Sequence, residues 1–257
     1  MLRHVIVLLS VAALVVAGLL AETCSAESAV ELPQVHKQKG YTIKLPEEWV
    51  AIPRDVLDER EELMADLTPD KTRPHFDCGF QLRDREWFDG PVILVINSRR
   101  GRIPDRELKH FDMGAFQRGA QDGIDRTKKT VPFALELEFG KTVYEPKPRI
   151  LWTSLVLDTQ DLGSVKQLIG MRVTEQGHIG VYGMCPLASF DEYGVIFEQV
   201  VRNVEIDERL RYRPRGMGVH DVSTLAAEIG FYALIAAGVV WLVRRSMRKG
   251  RVEGERP

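Results

Sequence analysis

Six histidines and three cysteines in 257 residues leave few side chains suited to catalysis or metal binding, so each pattern that holds one can be weighed. His75-Phe76-Asp77 falls in a stretch of strand composition, 75–82, where residues two apart share a face. The pair offers an imidazole and a carboxylate to a metal ion. His110-Phe111-Asp112 repeats the spacing in a helical stretch, where such positions diverge. A metal site needs three or four ligands, and no Cys-x-x-Cys or His-Glu-x-x-His completes either pair. His220-Asp221 sits in a linker-like segment with nothing to orient it. No metal or cofactor site is therefore expected.

Nucleophilic chemistry is no better supplied. The Gly-x-Ser-x-Gly elbow is absent, and Gly177, Gly180 and Gly183 match neither a P-loop nor a dinucleotide turn. Asp55, Asp58, Glu59, Glu61 and Glu62 are expected on the solvated side of a helix. No pair of carboxylates can be assigned as acid and base, and catalytic residues stay unassigned. Cys78 and Cys185 both fall on expected strands. In an oxidising compartment they could pair, which typically stabilises by about 2–4 kcal/mol. Buried free thiols are the equal alternative, and a reactive Cys78 beside a histidine is a third.

These side chains are placed by a mixed set of elements. Tyr41 to Leu45 alternates with period two and stops at Pro46, the pattern of a half-buried strand. Asp55 to Leu67 has helical spacing, with Val56, Leu57, Leu63, Met64 and Leu67 on one broad face. Strands are expected over 75–82 and 91–97, then a helix over 104–117 with Pro104 in its first turn. Residues 141–144, 149–157, 165–174 and 178–185 form an apparent meander. A helix over 190–202 follows, turning Tyr193, Ile196, Phe197, Val200 and Val201 to the core. Residues 203–207 add a last short strand. Strands flanked by helices at both ends indicate an α+β fold, an antiparallel sheet covered by helices.

The ends differ from this middle. Val5 to Ala21 is uncharged and follows Arg3, and Cys24-Ser25-Ala26 places small residues for cleavage after Ala26, the layout of a secretory signal. An uncleaved anchor and a lipid site at Cys24 are the alternatives. Leu225 to Val243 is nineteen residues, about 28 Å of helix against a hydrocarbon layer of about 30 Å. It is expected to span the membrane. Arg244, Arg245, Arg248, Lys249 and Arg251 follow it, which suits a cytoplasmic tail touching anionic lipid heads. Ala226, Gly230, Ala233 and Ala237 form a small-residue stripe that could bring two such helices together. Arg209-Leu210-Arg211-Tyr212-Arg213 alternates charged with apolar residues. It is read as a soluble tether, the other reading being a basic edge for lipid heads or an acidic partner.

The expected organisation is a signal at 1–26, a polar leader at 27–39 and one extracytoplasmic domain at 40–212. A linker at 213–223, a membrane helix at 224–243 and a basic tail at 244–257 follow. The overall charge of −2 excludes a dedicated nucleic-acid binder. It also hides a division, because residues 27–220 hold 28 Lys and Arg against 32 Asp and Glu, while 244–257 hold six against two.

One stretch resembles a known family. Gly40-Tyr41-Thr42-Ile43-Lys44-Leu45-Pro46-Glu47-Glu48-Trp49, a strand stopped by Pro and followed by Trp, is similar to the start of PsbP-like domains. That superfamily holds the extrinsic photosystem II subunit and non-photosynthetic bacterial relatives. The family's ending is similar to His178 to Tyr182, then Phe190, Phe197 and Val200-Val201-Arg202-Asn203-Val204-Glu205-Ile206. The resemblance spans about 40–207 and implies an α/β/α sandwich around an antiparallel sheet, serving as a binding or assembly factor without catalysis. Its motif positions are core and turn residues, so it transfers no functional residue. The added membrane helix departs from the soluble pattern and speaks against a photosystem role. The expectation is a single-pass protein of the bacterial cytoplasmic membrane, its main domain extracytoplasmic. Its partners would be the bilayer, an envelope or membrane protein, or a second copy through the helix. The alternative is a membrane-tethered, hydrolase-like envelope enzyme with an unrecognised site.

Overall fold

The alternation of Tyr41, Ile43 and Leu45 (buried) with Thr42 and Lys44 (half-buried) builds strand β2, Tyr41–Leu45. It is the centre of a small antiparallel sheet, between β1, Gln34–Gln38, and β11, Glu205–Ile206. The computed structural model describes residues 31–65, 73–99, 101–104, 135–159 and 163–213, with six further positions between 108 and 122.

The larger sheet has eight strands, also antiparallel. These are β3 (Trp49–Ala51), β4 (Cys78–Leu82), β5 (Val92–Ser98), β6 (Leu135–Phe139), β7 (Val143–Glu145), β8 (Ile150–Thr159), β9 (Gly163–Thr174) and β10 (Gly177–Pro186). Their order is β3-β4-β5-β10-β9-β8-β6, with β7 also paired to β8. β5 shows how the sheet divides two cores: Val92, Leu94 and Ile96 face one, Ile93 and Val95 the other, as period two requires. Both faces are covered, so the strand reads as a continuous apolar run.

Helix α1, Arg54–Ala65, sends Leu57 and Met64 into the first core. Helix α2, Phe190–Arg202, follows a short 3₁₀ turn, Leu187–Ser189, and sends Phe197, Val200 and Val201 into the second, with β2. The architecture is thus a mainly antiparallel sheet with a helix against each face, α2 sharing its side with the small sheet.

Several elements differ from expectation. The stretch read as a polar leader contributes β1, whose apolar Val35 points out while His36 points in and meets the Phe80 ring at a tilt, centroids 4.8 Å apart. Glu61, expected in solvent, is 1% exposed. Leu210 and Tyr212 are buried, so residues 209–213 are docked on the domain and are no free tether. The helix expected over 104–117 lies largely outside the described residues, although Leu108 and Gly114 are helical. Outside them too lie the signal, the apolar segment 225–243, the stripe of Ala226, Gly230, Ala233 and Ala237, and the basic Arg244, Arg245, Arg248, Lys249 and Arg251. Among the described residues no helix is long and apolar enough to cross a membrane.

Candidate functional site

Arg149 and Arg172 are brought together by strand register. Ile150, the first residue of β8, pairs with Arg172 of β9, and the Val173 amide donates to the Arg149 carbonyl at 3.2 Å. The end of α2 and the chain after β11 close around them. The result is a cleft of about 630 Å³ whose walls include Thr42, Arg149, Arg172, Arg202, Asn203 and Tyr212.

Each basic side chain there has a different electrostatic setting. Arg202 grips Glu145 with two parallel bonds of 2.9 Å and reaches Glu198 at 2.7 Å. These contacts raise its pKa and hold the Glu145 carboxyl below the usual carboxylate range. Arg211 pairs with Glu208 at 2.6 Å. The cleft's own carboxylates are taken as well: Glu205 by Lys44 at 2.5 Å, Asp207 by Arg209 at 3.4 Å.

Arg149 and Arg172 have no carboxylate partner among the described residues. Arg172 donates through Nη1 to the Arg202 carbonyl at 3.2 Å, at the end of α2, where a cation is favoured by the helix dipole. Its Nε is buried without a hydrogen-bond partner, and burial pushes its pKa down. Arg149 sits at φ 68°, a left-handed conformation that costs a non-glycine residue about 1–2 kcal/mol. Its guanidinium lies 5.2 Å over the Tyr212 ring, which also faces the Arg102 guanidinium at 4.8 Å. The Tyr212 hydroxyl donates to the Ile103 carbonyl at 2.7 Å. Two cations without countercharge, one strained and one partly desolvated, give the cleft a net attraction for anions.

Of the residues singled out in the sequence, Arg211 and Tyr212 line this cleft, whereas His75, Asp77, Cys78 and Cys185 do not and do not converge with one another. His75 is exposed, with Nδ1 3.6 Å from Glu61 Oε2, whereas Asp77 lies beside Tyr41 and Cys78. The expected strand begins only at Cys78, so the two side chains do not share a face. Glu61 also binds Arg54 at 2.5 Å, Arg73 at 3.1 Å and the Phe76 amide at 2.8 Å. That cluster fastens α1 to the chain before β4. No group of ligands that could hold a metal occurs among the described residues, and His110 lies outside them.

Cys78 and Cys185 are both buried and unbonded, which corrects the pairing alternative. Register explains why. Cys78 is opposite Val95 and Val95 opposite Val181, while Cys185 is four residues further along β10, about 13 Å at 3.3 Å per residue. A disulfide needs Cα atoms within about 7 Å. Burial pushes each thiol up to about 12.

The sequence reading missed Arg149 and Arg172. The available signal was a single arginine inside the apolar run Leu168-Ile169-Gly170-Met171-Arg172-Val173, where a charge must find a partner or a purpose.

No protein-family model matches the sequence, and no curated protein matches it. Among solved structures the chain is similar to cyanobacterial PsbP (CyanoP) from Synechocystis sp. PCC 6803. Identity is 13% and the TM-score 0.43, over 72% of this chain and 98% of that one. The match is consistent with a weak PsbP-like resemblance and says nothing of what this chain binds.

Proposed function

We propose that the chain is a single-pass, membrane-anchored accessory protein whose extracytoplasmic domain binds acidic side chains of a membrane or envelope protein. The observation that carries this reading is the convergence of Arg149 and Arg172, both without a carboxylate partner, on one cleft. A protein carboxylate would supply the missing countercharge through bidentate bonds that a guanidinium is shaped to make. Among the described residues no His, Cys or Ser lines the cleft, and its two described carboxylates are already paired. Binding without chemistry is the function these groups can perform. Anchoring rests on the uncharged run from Ile229 to Val243 and the basic residues after it.

The test uses the full chain in mild detergent, titrated with a hexaglutamate peptide. Binding should weaken at least about a hundredfold in the Arg149→Gln/Arg172→Gln variant, since two charge-assisted bonds are lost at about 1.5–3 kcal/mol each. Equal affinity of parent and variant would refute the cleft as the site. Turnover of ester or peptide substrates by the full chain, abolished by a point substitution, would refute the accessory reading. Release of the chain from membranes by alkaline carbonate would refute the anchor.

A further inference from the structure

We infer that the end of the domain from which the chain leaves rests on an anionic lipid surface, through a basic rim of Lys39, Arg99, Arg209, Arg211 and Arg213. This rests on the anchored reading above; Arg211 is shared with the cleft, whereas Lys39, Arg99, Arg209 and Arg213 lie outside it. Leu210 and Tyr212 turn inward, and their burial forces the alternating arginines out: Arg209, Arg211 and Arg213 expose 71%, 64% and 57% of their side chains. Beside them a recess of about 180 Å³ is lined by Lys39, Arg99, Gln176, Arg209 and Leu210.

Charge on this face is one-sided. Lys39 and Arg99 have no carboxylate partner among the described residues. Glu208 serves both Arg211 at 2.6 Å and Arg213 at 3.6 Å, Asp207 serves Arg209, and Glu175 serves Arg102 at 3.6 Å. Six cations thus face three carboxylates, in a segment (27–220) with more acidic than basic residues. Acidic surface elsewhere would be repelled by anionic headgroups, so charge orients this end toward them.

Chain length agrees. Ten residues, 214–223, separate Arg213 from the start of the proposed membrane segment, at most about 35 Å of extended chain. The rim is therefore tied close to the bilayer. Screening confines its attraction to about 8 Å at physiological salt, so the contact forms by the rim lying down on the headgroups.

The test places an environment-sensitive dye on the full chain carrying Cys24→Ser and Gln176→Cys. The two buried thiols, pushed up to about 12, stay unlabelled at neutral pH. The protein is reconstituted into phosphatidylcholine vesicles or vesicles containing phosphatidylglycerol, each with the same fraction of headgroup-nitroxide lipid. Quenching should be stronger in the anionic vesicles and fall back at high salt. Lys39→Gln/Arg99→Gln should lower the docked-to-free ratio about 25-fold, at about fivefold per basic side chain, with unchanged circular dichroism. Equal quenching in both lipids, with the chain still floating with the vesicles, overturns the rim and leaves the anchor standing. A chain that fails to float overturns both.

Discussion

Adding one methyl group at Gly183 should dislodge α2. A Cβ built there lies 2.3 Å from Phe197 Cγ and 2.6 and 2.7 Å from the two Cδ atoms. Carbon atoms in contact prefer about 3.5–4.0 Å, so the ring must retreat by more than about 1 Å. It has no room to do so: Phe197 is fully buried, with the Trp49 ring edge-on at a centroid distance of 6.1 Å. Gly183 is not among the positive-φ residues, so alanine meets no backbone strain and should gain about 0.4–1 kcal/mol through the unfolded chain. Overpacking a full core costs about 1–3 kcal/mol. The net expectation for Gly183→Ala is a loss of about 1–2 kcal/mol. In urea unfolding the midpoint should fall with the slope m unchanged. Phe197→Leu removes the obstructing ring, so Gly183→Ala/Phe197→Leu should be less destabilised than the sum of the single changes. A neutral Gly183→Ala, or strict additivity in the double variant, would show that the ring is not what this glycine accommodates.

Two further perturbations probe the cleft and the rim. Glu145, whose carboxyl is held below its ordinary 4.5 by Arg202, contributes stability that is full above pH 4.5 and lost as the pH falls through its lowered folded value. Glu145→Gln should therefore be less stable than the parent at pH 7, by no more than about 1 kcal/mol for so exposed a pair. The two should converge in acid, and a constant gap from pH 7 to pH 2 would refute the linkage. Gly40, at φ 104° with Leu210 Cδ1 2.3 Å from a built Cβ, leaves room for neither a side chain nor its strain. Gly40→Ala should unseat Leu210 and speed tryptic cleavage after Arg209 and Arg211, and an unchanged cleavage rate would contradict the docking of that segment.

The parts of the fold that could be read from sequence are those whose apolar period is strong. The helix over 190–202 was legible to its ends because Ile196, Phe197, Val200 and Val201 repeat along one face. Tyr41 to Leu45 was legible because Pro46 stops a clean alternation. β1 was not, since an edge strand needs no apolar face and this one turns its valine to water. Glu61 follows the polar face of α1 in every local pattern. It is buried because the chain at 73–76 folds across it and brings Arg73 and the Phe76 amide, a fact of tertiary structure. The cleft was illegible for a similar reason. Arg149 and Arg172 are joined only by the register of β8 and β9, and register is decided by the whole sheet. The same register keeps Cys78 from Cys185.

Tyr212 gives the two proposed surfaces a common mechanical origin. Its buried ring supports Arg149 at the cleft, and its hydroxyl holds the Ile103 carbonyl. One residue on, the Arg213 amide donates to Glu175 Oε1 at 2.6 Å, while the Glu175 amide donates to the Leu210 carbonyl at 2.9 Å. These bonds clamp the chain on both sides of Tyr212. The clamp ends at Arg213, with ten residues between it and the start of the proposed membrane segment. The described residues of rim and cleft belong to the one domain that these bonds fasten. With the rim on the headgroups, the height of the cleft above the membrane is set by the domain and not by the linker. A partner would have to present its acidic side chains at that height. Lengthening the linker within 214–223 by ten residues should accordingly leave cleft binding to a membrane-embedded partner nearly unchanged in anionic vesicles. In zwitterionic vesicles the linker alone would set the height, and the same insertion should weaken binding, by about two- to threefold for a doubled length under the −3/2 power law of a flexible chain. An equal effect in the two lipids would refute the coupling.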